Sequence, residues 1–259
     1  MRAYLAMLAA GFRRQATYRA ALVGGLGANV FWGVVRTAVF ASLYTGGARV
    51  AGLTEGEALT YVWVGQSMFG VVFVNWGLEL PERIRSGDFA VGMIRPGHPY
   101  LRELAFDLGR NLSQMTIRST LPLAGAALLL PLVLPTTPGR WAALAVSGVL
   151  AAVVWFQVRY LVFSSAFWTA DFRFVSNLFY SWLWFGSGFV IPTAYFPDPL
   201  RQIAEASPLD AMLMAPFRVA IGSPVWAELG RQVAWIGVLG AAGLALTAVA
   251  RRRVEVHGG

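Results

Sequence analysis

An all-α integral membrane protein with six transmembrane helices is the architecture this sequence predicts, on three observations. Hydrophobic residues make up 57% of the chain and charged residues 13%, where a soluble domain carries about 25% charge. Six apolar runs recur, each close to the roughly 20 residues a spanning helix needs. The arginines gather at the ends of those runs, as orientation in a membrane requires. A soluble core of 259 residues has no room for so much apolar surface.

Residues 1–20 read as an interfacial helix. Tyr4, Leu5, Leu8 and Phe12 recur at helical spacing, with Arg13, Arg14 and Arg19 after them, a pattern that suits the inner leaflet. The short apolar run Ala3–Phe12 is followed at once by arginines and by no convincing cleavage site, so it does not read as a signal peptide. Spans are predicted over 21–44, 57–78, 111–133, 140–164, 173–191 and 229–250. The first contains Arg36, the third Arg118 and the fourth Arg159. The second is uncharged from Ala58 to Leu78, and the fifth lies in the charge-free run Phe174–Pro197.

Two connections are long. Segment 79–110 is polar: Pro81–Arg85 reads as a helical leg stopped by Ser86-Gly87, and Asp88 as the cap of a short helix, Phe89–Ile94. Arg95-Pro96 ends that helix and Gly97-His98-Pro99 is a turn. Phe89, Met93 and Ile94 are apolar in a place that faces water, which invites a protein partner. In segment 192–227, Asp198-Pro199 and Ser207-Pro208 each read as an N-cap followed by Pro in the first turn. Two short helices dipping into the outer face are expected there.

With the N-terminus inside, the inner segments hold thirteen arginines and the outer ones five. That asymmetry puts both termini and 79–110 in the cytoplasm.

Several chemistries are excluded or disfavoured by absence. There is no Cys, hence no disulfide and no thiolate site. All 21 basic residues are Arg, so the Lys that a phosphate-binding P-loop needs is missing and the chain carries no ATPase site of that kind. His98 and His257 lie in polar segments far apart in sequence, which disfavours a haem or zinc site. Gly186-Ser187-Gly188 looks like an intramembrane serine-protease site, but no span holds a His base, and small residues at a helix contact explain it better. A proton-coupled carrier usually needs a carboxylate at membrane depth. Asp107 and Asp171 fall near inner span ends and Glu79 at an exit.

Polar residues inside the spans are the candidate substrate path: Asn29, Trp32, Arg36, Gln66, Asn177 and Trp184. Asn29 and Arg36 are seven residues apart, on one helix face, with Trp32 and Gly33 between them. Arg36 reads either as the lining of a gate or as a side chain that snorkels outward. Arg118 and Arg159 read as structural, sharing Asp107 or Asp171 as partner. Gln66 and Asn75 are half a turn out of phase, so they do not both face one cavity squarely. The aromatics that crowd the fifth span suit either a flat apolar cargo or contact with lipid.

The pattern Ile84-Arg-Ser-Gly-Asp-Phe…Met-Ile-Arg-Pro96 resembles the first cytoplasmic loop of six-helix permeases of the type-2 ABC exporter (ABC-2) class. The run Tyr195-Phe-Pro-Asp-Pro-Leu-Arg-Gln-Ile-Ala204, with Pro208 after it, is similar to their outer loop before the last span. Within the class the chain looks most like actinobacterial and firmicute permeases, some linked to drug resistance. The resemblance implies a permease subunit in a bacterial cytoplasmic membrane that exports an amphipathic or hydrophobic substrate and is not itself an enzyme. It implies no cofactor in this chain, ATP and Mg on two partner ATPase subunits, and a second permease chain, identical or a sister. Phe89–Ile94 would be the coupling helix, with Phe89, Val91, Met93, Ile94, Arg95 and Arg85 at the ATPase. Arg36 matches no pattern of the class. A secondary carrier or channel without an ATPase is the alternative, and a membrane enzyme or scaffold a more distant one.

Overall fold

The structure, a computed structural model, describes the chain apart from residues 18, 48, 73–78, 95, 170–171 and 252–259; the side chains of 19–23, 45, 90, 117 and 251 are also not described. The described residues form α1 (Arg2–Thr17), α2 (Arg19–Ser42), α3 (Glu55–Val72), α4 (Glu79–Arg85), α5 (Asp88–Met93), α6 (Pro99–Gln114), α7 (Thr120–Leu129), α8 (Pro138–Phe163), α9 (Phe172–Gly186), α10 (Asp198–Glu205), α11 (Pro208–Ile221) and α12 (Val225–Arg251). Among them the only β pairing is an isolated bridge between Val50 and Leu53. Two helical stretches, Pro138–Phe167 and Val225–Ala250, are apolar and long enough to cross a membrane.

The centre is built on α3 and α11. A Thr-x-x-Glu capping box starts α3: the Thr54 backbone N–H donates to the Glu57 carboxylate at 2.7 Å, and the Glu57 N–H donates to Thr54 Oγ1 at 3.3 Å. From Ala58 to Met68 every residue is buried, as expected of a helix that is apolar all round. Helix α11 starts at Ser207, whose hydroxyl accepts from the Asp210 N–H, and stops at Gly222 in the left-handed region (φ 111°). Met212, Leu213, Met214 and Phe217 enter the main core beside Tyr61 and Trp155. The expectation of two shallow outer helices is therefore corrected. Only α10 is shallow, while α11 packs against α3, α8 and α12. Pro197, not Asp198, precedes α10, so Asp198 is not its cap.

Helix α1 lies along α6. The two meet backbone to backbone at paired glycines. A Cβ on Gly11 would sit 2.0 Å from the Phe106 carbonyl oxygen, and one on Gly109 would sit 2.0 Å from that of Leu8. Across the crossing, the Tyr4 hydroxyl accepts from the His98 N–H at 3.0 Å.

The predicted third span is part of a longer rod. Helix starts at Pro99, passes through a π-turn at Met115–Ser119 and ends at Leu129. Its length is about 46 Å at 1.5 Å per residue. The π-turn is fastened to α3 by a reciprocal pair: Ser67 Oγ donates to the Ser119 carbonyl at 2.8 Å and Ser119 Oγ to the Ser67 carbonyl at 2.6 Å. Helix does not reach 133 as expected, because the chain past Leu130 is pinned beside α3. Thr60 Oγ1 accepts from the Val133 N–H (2.8 Å) and donates to its carbonyl (3.1 Å).

The fifth predicted span is also shorter than expected. Helix α9 ends at Gly186, and 187–191 are not helical. At 15 residues, it covers about 22 Å, short of the roughly 30 Å of a hydrocarbon core. The Gly-Ser-Gly run is thus the end of a helix: Ser187 is buried and bonded to the Leu183 carbonyl, and Gly188 has φ +75°.

The glycine crossing leads to a prediction. Gly109→Ala should lower stability by about 1–3 kcal/mol, because backbone cannot yield to the methyl. The measurement is a lower Tm in detergent together with faster proteolysis of α1. Gly125→Ala, at a position with open space around it, is the control that should change neither.

Candidate functional site

The short helix after α4 is anchored inward and open outward. Gly87 in the left-handed region (φ +82°) is the N-cap of α5 and no side chain caps it. The expectation that Asp88 caps the helix is corrected: Asp88 is its first residue, and its carboxylate accepts from Ser86 Oγ at 2.7 Å. The helix ends at Met93, with Ile94 as C-cap. Phe89 does not face water. It is 3% exposed and meets Phe167, ring edge to face, at 5.2 Å. Amphipathic spacing makes this possible: in a helix Phe89 and Met93 share one face, and Val91 lies opposite. Val91 is 57% and Ile94 85% exposed, and Met93 is half-buried. Arg85 is exposed, its guanidinium 5.7 Å from the centre of the Phe172 ring. Arg95 and Asn75 lie outside the described residues, as do Asp171 and His257.

Beside α5 lies a cavity of about 410 Å³ between α1, α4, α5, α6 and α8. Its walls are cross-linked by charge. Arg14 and Arg110 both reach Glu79, at 3.1 and 3.6 Å. Arg83 pairs with Glu103 at 2.8 Å. Arg159 of α8 pairs with Asp107 of α6 at 2.5 Å with both groups buried, and Asn111 Nδ2 donates to the same carboxylate at 3.0 Å. Of the two carboxylates expected to serve Arg118 and Arg159, Asp107 is the one beside Arg159.

The predicted interior residues divide. Asn29 and Gln66 are buried, and Asn29 Nδ2 donates to the Gln66 carbonyl at 3.0 Å. Gly33 touches Trp63, whose indole N–H donates to Thr37 at 3.0 Å. Arg36 continues this stripe. It lies over the Tyr61 and Phe189 rings, 5.2 and 4.6 Å from their centres, and donates to the Phe189 carbonyl at 2.5 Å. The Tyr61 hydroxyl reaches the carbonyls of Gly188 and Phe189, each at 2.6 Å. Arg36 therefore closes the broken end of α9, which neither sequence reading of it foresaw. Trp184 joins the group through Phe189, ring to ring at 5.5 Å. Trp32 and Asn177 are exposed and do not join it, so Trp32 does not belong to the buried stripe. Arg118 is buried, its guanidinium against Gly25 and its stem against Gly70.

At the other end, Asp210 is fully buried among Arg218, Arg231 (2.8 Å) and the Thr193 hydroxyl (3.1 Å). Glu228 of α12 pairs with the same two arginines at 3.0 and 2.7 Å. Burial works against the Arg218 charge, but Asp210 and then Glu228 outweigh it and raise its pKa. Only its Glu228–Arg231 side is local, at i,i+3; the other three sides join residues 8, 10 and 21 positions apart, which nothing local in the sequence signals. Tyr61 carried no signal either, lying in an uncharged run. Thr54-x-x-Glu57, by contrast, is a legible capping box.

A family model described as "ABC-2 family transporter protein" matches residues 31–252. No curated protein and no solved structure matches the chain.

Two predictions rest on this geometry. Asp107→Leu alone should cost about 3–5 kcal/mol by stranding Arg159, and the double change Asp107→Leu/Arg159→Met should recover most of that loss in thermal melts. Arg36→Ala should loosen the end of α9. As the chain has no Cys, a single Ser187→Cys label reports the change: protected from maleimide in the parent and reactive in Arg36→Ala. A snorkelling Arg36 would leave protection unchanged.

Proposed function

The chain belongs to the ABC-2 family of transporter proteins, and on that premise we propose that it is the permease subunit of an ATP-driven exporter. A member of this family is a membrane protein, the transport component rather than the catalytic one, and it works with an ABC ATPase. The finer reading is that α2, α3, the α6–α7 rod, α8, α9 together with the non-helical 187–191, and α12 form the six spans, with both termini in the cytoplasm of a bacterial cell. The substrate is an amphipathic or hydrophobic molecule: a drug, a natural product or a lipid. Two ATPase subunits carry the ATP and Mg, and a second permease chain, identical or a sister, completes the pathway.

The observation that carries this reading is α5. A helix of six residues is too short to be stable in isolation, yet it presents Val91 and Ile94 outward on an anchored base. Phe89 and the Arg102 bond to the Gly92 carbonyl hold it to the bundle. Movement of an ATPase against Val91 and Ile94 would therefore be passed to α4, α6 and the turn before α9. Met93, Arg85 and Arg95 flank that contact. Phe89 acts from inside, as the anchor. In the membrane, the exposed aromatics Phe31 and Trp32 of α2 and Phe174, Trp182 and Phe185 of α9 face lipid and the second chain. Asn29, Arg36, Gln66 and Trp184 support the wall behind them, and Asn177 lies on the outward side.

Ile94→Asp and Val91→Asp put charge into a small apolar contact. Each should reduce co-purification of the ATPase and transport by at least about ten-fold, the effect of some 1.4 kcal/mol, while membrane insertion and Tm hold. Normal ATPase binding by both variants would remove α5 as the coupling element. Phe89→Asp does not make this test, because it buries a charge against Phe167 and acts on folding.

A further inference from the structure

We propose that the cavity beside α5 is a binding site for a phosphate-bearing anion, with Arg102 as its anchor. The ion pairs across the cavity engage Arg14, Arg83, Arg110 and Arg159. Arg102 is different. It is only 7% exposed, lines the cavity and makes no ion pair among the described residues. Its Nη2 donates to the Gly92 carbonyl, and its Nη1 is buried without a hydrogen-bond partner. A buried guanidinium with an idle donor is costly unless an acceptor arrives.

The surroundings favour phosphate as that acceptor. The walls hold five arginines against four carboxylates. Glu79, Glu103 and Asp107 are each neutralised by an arginine, and Asp88 is an exposed group bonded to Ser86. Arg83 stands near Arg102: Nη2 of each lies 3.6 Å from the place a Cβ on Gly92 would occupy, and Arg102 Nη2 is the nitrogen that already donates to the Gly92 carbonyl. Two neighbouring guanidinium forks suit a group with several acceptor oxygens. A volume of about 410 Å³ lies within the roughly 300–1,000 Å³ of small-ligand sites. Apolar walls from Leu80, Phe106, Phe156 and Phe163 leave room for the glycerol end of a phospholipid as well as for a soluble phosphate ester. Bound there, the anion would tie α4 and α6 to α5 and set the height of the coupling helix.

The test uses the purified full chain, delipidated in detergent at fixed ionic strength. Native mass spectrometry follows retention of phosphatidylglycerol and of diacylglycerol, which lacks the phosphate, and thermal melts follow inorganic phosphate against chloride. In the parent, phosphatidylglycerol should be retained about ten-fold over diacylglycerol, or phosphate should raise the Tm, and Arg102→Gln should lose about ten-fold of that binding, the scale of one charge-assisted hydrogen bond. Arg102→Lys should lose part of it, and Arg13→Gln, on the exposed face of α1, none. A lipid effect without a phosphate effect assigns the site to headgroups; a phosphate effect without a lipid effect assigns it to soluble esters. Equal retention of both lipids with no phosphate effect overturns the proposal, as does an equal loss in Arg13→Gln. Should Arg102→Gln fail to fold, Arg102→Lys and the competition in the parent chain decide alone.

Discussion

The end of α9 is the place on which the inner architecture turns. Chain that leaves a helix inside apolar surroundings, as 187–191 does after α9, strands backbone carbonyls that no water can reach, each at a cost of several kcal/mol. Here Tyr61 and Arg36 supply the missing donors, one from α3 and one from α2. Three helices are thereby registered at one point. The stripe Asn29–Gly33–Arg36 must face α3, and Phe189 must fold back beneath the guanidinium, with Trp184 against it. An arginine that looked like a liability in a span is the partner of a defect in another helix.

The same accounting governs the two ends of the bundle. Arg159 and Asp107 join α8 to the long α6–α7 rod, and the Asp210–Glu228–Arg218–Arg231 square joins α11 to α12. A buried pair is weak evidence of net stability, since its desolvation offsets most of its attraction. What it supplies is register: one arrangement satisfies all the charges and a slipped helix satisfies none. Between these fixed points, α5 is held on its inner side by Phe89 and Arg102. A push on Val91 or Ile94 thus has a short path into elements that are themselves locked together.

Much of this was legible in residue order. Helix content, the approximate ends of α2, α8 and α12, the Gly87 break and the Ser207-Pro208 start follow from composition, caps and spacing. The failures have physical causes. Phe89 was read as exposed because its partner, Phe167, is 78 positions away in the chain. Helix α11 was read as shallow because a short apolar helix near the surface and one in the core have the same pattern. Asn177 and Trp32 were grouped with Arg36 by polarity and proximity in sequence, and rotation about the helix axis then turned them outward.

Composition and local chemistry determined what can be determined within a few residues of chain. The chain must be helical and must leave water, it holds no P-loop lysine to drive itself, and it breaks where glycine and proline break it. Tertiary structure alone decided which break is satisfied by which side chain, which face of α5 is left open, and why Arg102, bonded to Gly92, has no carboxylate partner among the described residues beside the cavity. Those outcomes depend on donors and acceptors 10 to 153 positions apart, and no local rule connects groups at that distance.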